Sequence, residues 1–115
     1  MVEQQTAGER RKSDRVPVEM WVQESRGGRE LYFQRAANLS RGGMYLENTI
    51  PHPFGTEVEL EFTIPGQTRP VRLQGKIVNV ASGTGDLGMG VEFLAIDPET
   101  ARVLDEYIER EGRAG

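Results

Sequence analysis

The sequence predicts a mainly β protein, a small six-stranded antiparallel barrel closed off by one C-terminal α-helix. Three observations carry this. Apolar residues recur with a period of two in several short runs; the breaks between the runs are short and rich in glycine, asparagine and proline; and the only helical signature stands at the end of the chain. A closed sheet is the economical solution for such strands, since closure leaves no edge to pair with another molecule.

Residues 1–8 are polar and without periodicity, which predicts a disordered tail. The basic run Arg10-Arg11-Lys12-Ser13-Asp14-Arg15 follows, with no apolar partner at helical spacing. By itself such a run is a solvated, mobile arm. From Val16 the period becomes two, with Val16, Val18, Met20 and Val22 on one face and Trp21 on the other. Packing over a barrel seam or under the terminal helix is the expectation for Trp21, with a partner surface as the alternative. Ser25-Arg26-Gly27-Gly28 reads as a hairpin turn, and a second strand runs from about Glu30 to Ala37. It delivers the chain to Asn38-Leu39-Ser40-Arg41-Gly42-Gly43, a polar turn that leads into a short strand over Met44 to Glu47.

Pro51-His52-Pro53-Phe54-Gly55 interrupts the pattern. With prolines on both sides and no cysteine or second histidine to join it, His52 is expected to be an exposed loop residue, and no metal site can be assembled around it. Val58, Leu60, Phe62 and Ile64 then alternate with Glu57, Glu59, Glu61 and Thr63. The glutamates are the solvent face of a strand, opposite Arg72 and Lys76 on the next strand, Val71 to Ala81. After a turn over Ser82 to Asp86, the last strand places Leu87, Met89, Val91 and Phe93 inward and Gly88 and Gly90 on the other face. Asp97-Pro98-Glu99 opens a helix with an N-cap and a proline at the first helical position. Ala101, Leu104, Tyr107 and Ile108 form its apolar stripe, and Gly112 is the expected end.

The 115 residues suit one domain that buries roughly 60 to 65% of its unfolded surface. The absence of cysteine excludes thiol catalysis, zinc–thiolate sites and a disulfide scaffold. No apolar run marks a leader or a membrane span, so a cytoplasmic protein is expected. The net charge of −4 disfavours nucleic-acid binding, yet its distribution is uneven: residues 1–41 carry +2 and residues 42–115 carry −6. Positive charge is gathered where the arm and the Asn38 turn lie, which suits a small dianion better than a long polyanion. No nucleophile–base pair and no phosphate-cradling glycine loop is present, so an enzyme is not expected.

The arm and the turn together carry a resemblance. Arg11 and Arg15 form R-x-x-x-R, Asn38, Ser40 and Gly43 form [DN]-x-S-x-x-G, and Leu87-Gly88-Met89-Gly90-Val91-Glu92-Phe93 contains a G-x-G-V-x-F strand. In order and spacing this resembles the PilZ domain, a bacterial receptor for cyclic di-GMP, over roughly residues 9 to 110. The resemblance implies a domain over 9–112, with a ligand-binding arm at 9–15, a barrel at 16–95 and a helix at 97–111. It implies no cofactor, and cyclic di-GMP as the ligand of Arg10, Arg11, Arg15, Asn38, Ser40 and Gly43. Arginine suits that task because its planar fork bonds phosphate bidentately and stacks on guanine. An arginine at position 10 is associated in such proteins with capture of a stacked, intercalated pair of ligands. The output would pass to an unknown downstream protein by ordering of the arm. The rival reading is a PilZ-like adaptor that works through protein contacts without ligand.

Overall fold

A computed structural model describes residues 15–80 and 87–114. The expected tail at residues 1–8, the arm up to residue 14 and the expected turn at Ser82 to Asp86 lie outside the described residues. Six strands, β1 (Arg15–Arg26), β2 (Glu30–Ser40), β3 (Gly43–Glu47), β4 (Glu57–Phe62), β5 (Val71–Val80) and β6 (Gly88–Ala95), precede one helix, α1 (Pro98–Ala114). The strands pair antiparallel in the closed order β1-β2-β3-β6-β5-β4. The predicted barrel with a terminal helix is therefore the observed architecture.

Period two works as expected. Val16, Val18, Met20 and Val22 of β1, Met44 and Leu46 of β3, Val58, Leu60 and Phe62 of β4, and Met89, Val91 and Phe93 of β6 all enter one core. Phe62 and Phe93 stack across it with ring centroids 6.3 Å apart. The glutamates of β4 stay outside, and Glu61 accepts a bond from Arg72 Nε at 3.0 Å in the register that pairs those two positions. Gly27 and Gly28 turn the β1–β2 hairpin with φ of 60° and 70°, a conformation that a Cβ disfavours.

Helix α1 begins as its sequence dictates. Thr100 N donates to Asp97 Oδ1 at 2.7 Å, which satisfies one orphan donor of the first turn, and Ala101 N donates to the Asp97 carbonyl at 3.0 Å, the first bond of the helix itself. Leu104, Tyr107 and Ile108 are buried, and the helix lies against β1 and β2. Burial holds the Tyr107 phenol above its ordinary pKa, and the Glu111 carboxylate adds to the effect.

Four expectations need correction. Gly112 does not end the helix, which continues to Ala114; a glycine in a last turn costs only about 1 kcal/mol and does not compel a stop. Leu87 precedes β6 and is exposed, so the inward set of that strand begins at Met89. Trp21 is 64% exposed and is packed under neither a seam nor the helix: it points outward from β1 beside Arg35, whose guanidinium carbon is 5.9 Å from the ring centroid. His52 is not an exposed loop residue: its side chain is only 12% exposed and lies against Glu24.

Candidate functional site

The polar turn is shorter than its sequence suggests. Strand β2 runs through Asn38 to Ser40 and β3 resumes at Gly43, so only Arg41 and Gly42 bend. Asn38 and Ser40 are thus strand residues with defined faces. A register shift sets those faces. Before it, Gln34 and Ala36 point inward; the β2–β3 pairing then skips Ala37, and the next inward residue is Leu39. An opposing shift lies between Pro17 and Met20 of β1. This bulge reverses the alternation, so Asn38 moves to the outer face that Gln34 and Ala36 do not share.

Arg15 is the first residue of β1 and pairs with Ser40. Its guanidinium reaches along the outer face and donates to Asn38 Oδ1 at 2.8 Å. The structure therefore brings together one arginine of the arm and the polar residues of the turn. Arg10 and Arg11 lie outside the described residues.

Ser40 is buried and fully engaged locally. Its hydroxyl accepts from Gly42 N and donates to the Gly43 carbonyl, both at 3.2 Å, which closes the two-residue bend. Gly43 needs no positive φ. It is paired with Glu92 on β6, and a Cβ there would stand 2.1 Å from the Val91 carbonyl oxygen, so the approach of the neighbouring backbone requires glycine. Gly42 adds a backbone bond from Phe93 N to its carbonyl at 2.8 Å. These bonds close the bend within the protein itself.

Two contacts were not visible in the sequence. Arg41 Nε donates to Asp105 Oδ1 of α1, which ties the bend to the helix across a separation of 64 residues. The second is a buried polar group at the other end of the β1–β2 hairpin. Glu24 is 0% exposed; Gln34 Nε2 donates to its Oε1 at 2.8 Å, and His52 Nε2 approaches its Oε2 to 2.7 Å without hydrogen-bond alignment. Tyr32 stacks obliquely on His52 with centroids 5.4 Å apart, and His52 N donates to Met89 Sδ at 3.4 Å. The loop bearing His52 is also fastened by Gly55 N to the Ile77 carbonyl at 2.7 Å and Ile77 N to the Thr56 carbonyl at 2.9 Å.

A concavity of about 370 Å³ is lined by Glu59 and Glu61 with Gln23, Gln74 and Arg72, so carboxylates predominate there. Among the described residues no group of three or more His, Asp or Glu side chains could hold a metal ion, and no helix is long and apolar enough to cross a membrane.

The family model described as the PilZ domain matches residues 9–110. No curated protein matches the chain by sequence. Among solved structures, the inhibitor of motility MotI/DgrA of Bacillus subtilis superposes with a TM-score of 0.77 at 18% identity, covering 87% of this chain and 50% of that one. The PilZ domain of YcgR from Escherichia coli, solved with c-di-GMP, gives a TM-score of 0.71 at 20% identity, with 91% of this chain and 93% of that one covered. PlzA of Borreliella burgdorferi in complex with c-di-GMP gives 0.62 at 10% identity, with 99% and 57% covered. The chain thus spans about half the length of the B. subtilis and B. burgdorferi chains. At these identities the superpositions establish the barrel and its terminal helix, while the family match extends over the arm, the outward-facing Asn38 and the closed Ser40–Gly43 bend: the chain belongs to the PilZ domain family.

Proposed function

We propose that this chain is a cyclic di-GMP receptor that has no enzymatic activity of its own. The observation that carries the reading is the contact between the Arg15 guanidinium and Asn38 Oδ1, 2.8 Å apart on the outer face beside the bend that Ser40 closes. Arg15 takes the amide oxygen, and the amide NH2 is the group that would donate to a guanine edge. The guanidinium keeps further donors for phosphate. Arg11, one helical-turn spacing earlier in the sequence, would supply the second cation, and Ser40 and Gly43 would hold the barrel side of the pocket in place. Family membership and the two relatives solved with c-di-GMP support the ligand assignment.

Ligand capture would order the arm at 9–15 over the barrel and so change the surface shown to a downstream protein. Arg10 would set the stoichiometry: two stacked ligands bring four phosphate charges together, and a third arginine neutralises part of them. The second reading, an adaptor acting through protein contacts alone, is favoured by one observation. Trp21 and Phe33 are 64% and 67% exposed on the same outer face of the β1–β2 hairpin, an apolar surface of the kind that protein partners cover.

Calorimetric titration of the full chain with cyclic di-GMP, with GTP and linear pGpG as controls, separates the two. The receptor reading expects saturable binding that Arg11→Ala or Arg15→Ala each weakens by about 10- to 100-fold, the worth of one or two charge-assisted bonds. Melting temperatures should stay near that of the parent. Two ligands per chain, falling to one in Arg10→Leu, is the expected stoichiometry. Absence of heat with cyclic di-GMP would leave the adaptor reading standing.

A further inference from the structure

Asn38 faces Tyr45 across the β2–β3 pair, and Tyr45 faces Gly90 across β3–β6, so these three positions form one row on the outer face. Tyr45 is half-buried. A Cβ on Gly88 would stand 2.1 Å from Tyr45 Oη and 2.5 Å from its Cζ, which means that the tip of the phenol occupies the space a side chain at 88 would need. The ring therefore lies down along β6 instead of standing off the sheet. Glycine at 88 is explained by this, and glycine at 90 likewise brings no side chain into the row. The outcome is an aromatic ring that lies over β6 and belongs to the cross-strand neighbour of Asn38.

We propose that Tyr45 is a further ligand-contacting residue, whose ring is the surface on which a purine base stacks while the neighbouring Asn38 amide takes the base edge. The inference rests on the cyclic di-GMP reading and deepens it. Stacking on an aromatic ring and hydrogen bonding to an amide are complementary demands: the first fixes the plane of the base, the second its rotation within that plane. The outer-face row supplies both from adjacent strands. The Tyr45 hydroxyl is directed toward Gly88, so the ring and not the hydroxyl is the contact.

Titration with cyclic di-GMP of the parent chain, Tyr45→Phe and Tyr45→Leu provides the test. Leucine keeps apolar cover over Gly88 but removes the ring, and should weaken binding by about 5- to 150-fold, the range of one base–aromatic stack. Tyr45→Phe should bind within about 2-fold of the parent. A Tyr45→Leu variant that melts normally and binds like the parent overturns the inference while leaving the receptor reading intact. Failure of the parent to bind overturns the receptor reading, and the inference with it. Should Tyr45→Leu fail to fold, the parent decides: its Tyr45 ring protons are expected to shift upfield in NMR spectra when cyclic di-GMP is added, and resonances that do not move overturn the inference.

Discussion

Two carboxamides four positions apart on β2 make the same kind of bond to opposite ends. Gln34 donates to Glu24 at 2.8 Å inside the barrel, where the carboxylate is 0% exposed; Asn38 accepts from Arg15 at 2.8 Å on the outside. Strict alternation would place both on one face, since their positions differ by an even number. The bulge at Ala37 separates them. Inside, bulk water does not reach Glu24, so it depends on the protein: Gln34 donates to one carboxylate oxygen, and His52 Nε2 packs 2.7 Å from the other without an aligned hydrogen bond, which sets the His52 loop against the hairpin. Outside, the Arg15–Asn38 pair is exposed, and the remaining donors of both side chains are the groups that the proposed ligand would take. On the receptor reading, structure and recognition draw on the same chemistry, and the register of one strand separates the two.

The comparison is broken most severely at Gly43, where the two halves of the barrel wall meet. A methyl group there would press on the Val91 carbonyl from 2.1 Å, and a backbone in a closed sheet has little room to retreat. Gly43→Ala should cost about 3 kcal/mol or leave the chain unfolded, as read by thermal and urea denaturation. A variant that melts like the parent and loses only cyclic di-GMP binding would show that ligand contact, and not the strand approach, demands glycine.

The buried end gives the next largest effect, and its sign pattern is specific. His52→Ala leaves a carboxylate sealed from water with one amide donor, and should destabilise by about 3 kcal/mol. Glu24→Gln keeps the shape and removes the charge, so it should cost less than half as much. Neither should change cyclic di-GMP affinity, because the pair lies at the far end of the β1–β2 hairpin from Asn38. Equal losses from the two variants in urea denaturation would mean that the pair matters as packing and not as a sealed charge.

The same contrast explains what the sequence discloses. Strands such as β1 and β4 are legible because one face meets water and the other the core, a difference written into every second residue. The terminal helix is legible because Asp97 and Pro98 act locally. The bulge is not, since Ala37 is neutral between faces, and without it Asn38 reads as part of a turn. The burial of His52 is hidden for a related reason: flanking prolines do signal a loop, but the buried partner Glu24 lies 28 residues earlier and no local pattern points to it. Trp21 shows the limit of periodicity, which places it outside but does not say what, if anything, covers it. In the candidate site the residue types of Arg15, Asn38, Ser40 and Gly43 were legible. The reasons for two of them, the hydroxyl that closes the bend and the glycine under Val91, needed coordinates.

The smallest expected effect concerns the tie between the bend and the helix. Arg41 bonds Asp105 with its own side chain 22% exposed and that of Asp105 53% exposed, so solvent screens the pair and its contribution should be under about 1 kcal/mol. The bend does not depend on it, because Ser40 Oγ and the Phe93 N bond to Gly42 hold the backbone independently. Asp105→Ala should therefore lower the melting temperature only slightly and alter cyclic di-GMP affinity by less than about 3-fold. A larger loss of affinity with unchanged melting would mean that Asp105 positions the Arg41 guanidinium for the ligand, making the outer site depend on a distant element in the way the inner one depends on His52. A gain in affinity would mean the reverse, that the carboxylate holds Arg41 away from the phosphates. Titration of Asp105→Ala beside Arg41→Ala distinguishes these, since an Arg41 that contacts no ligand makes both variants bind alike.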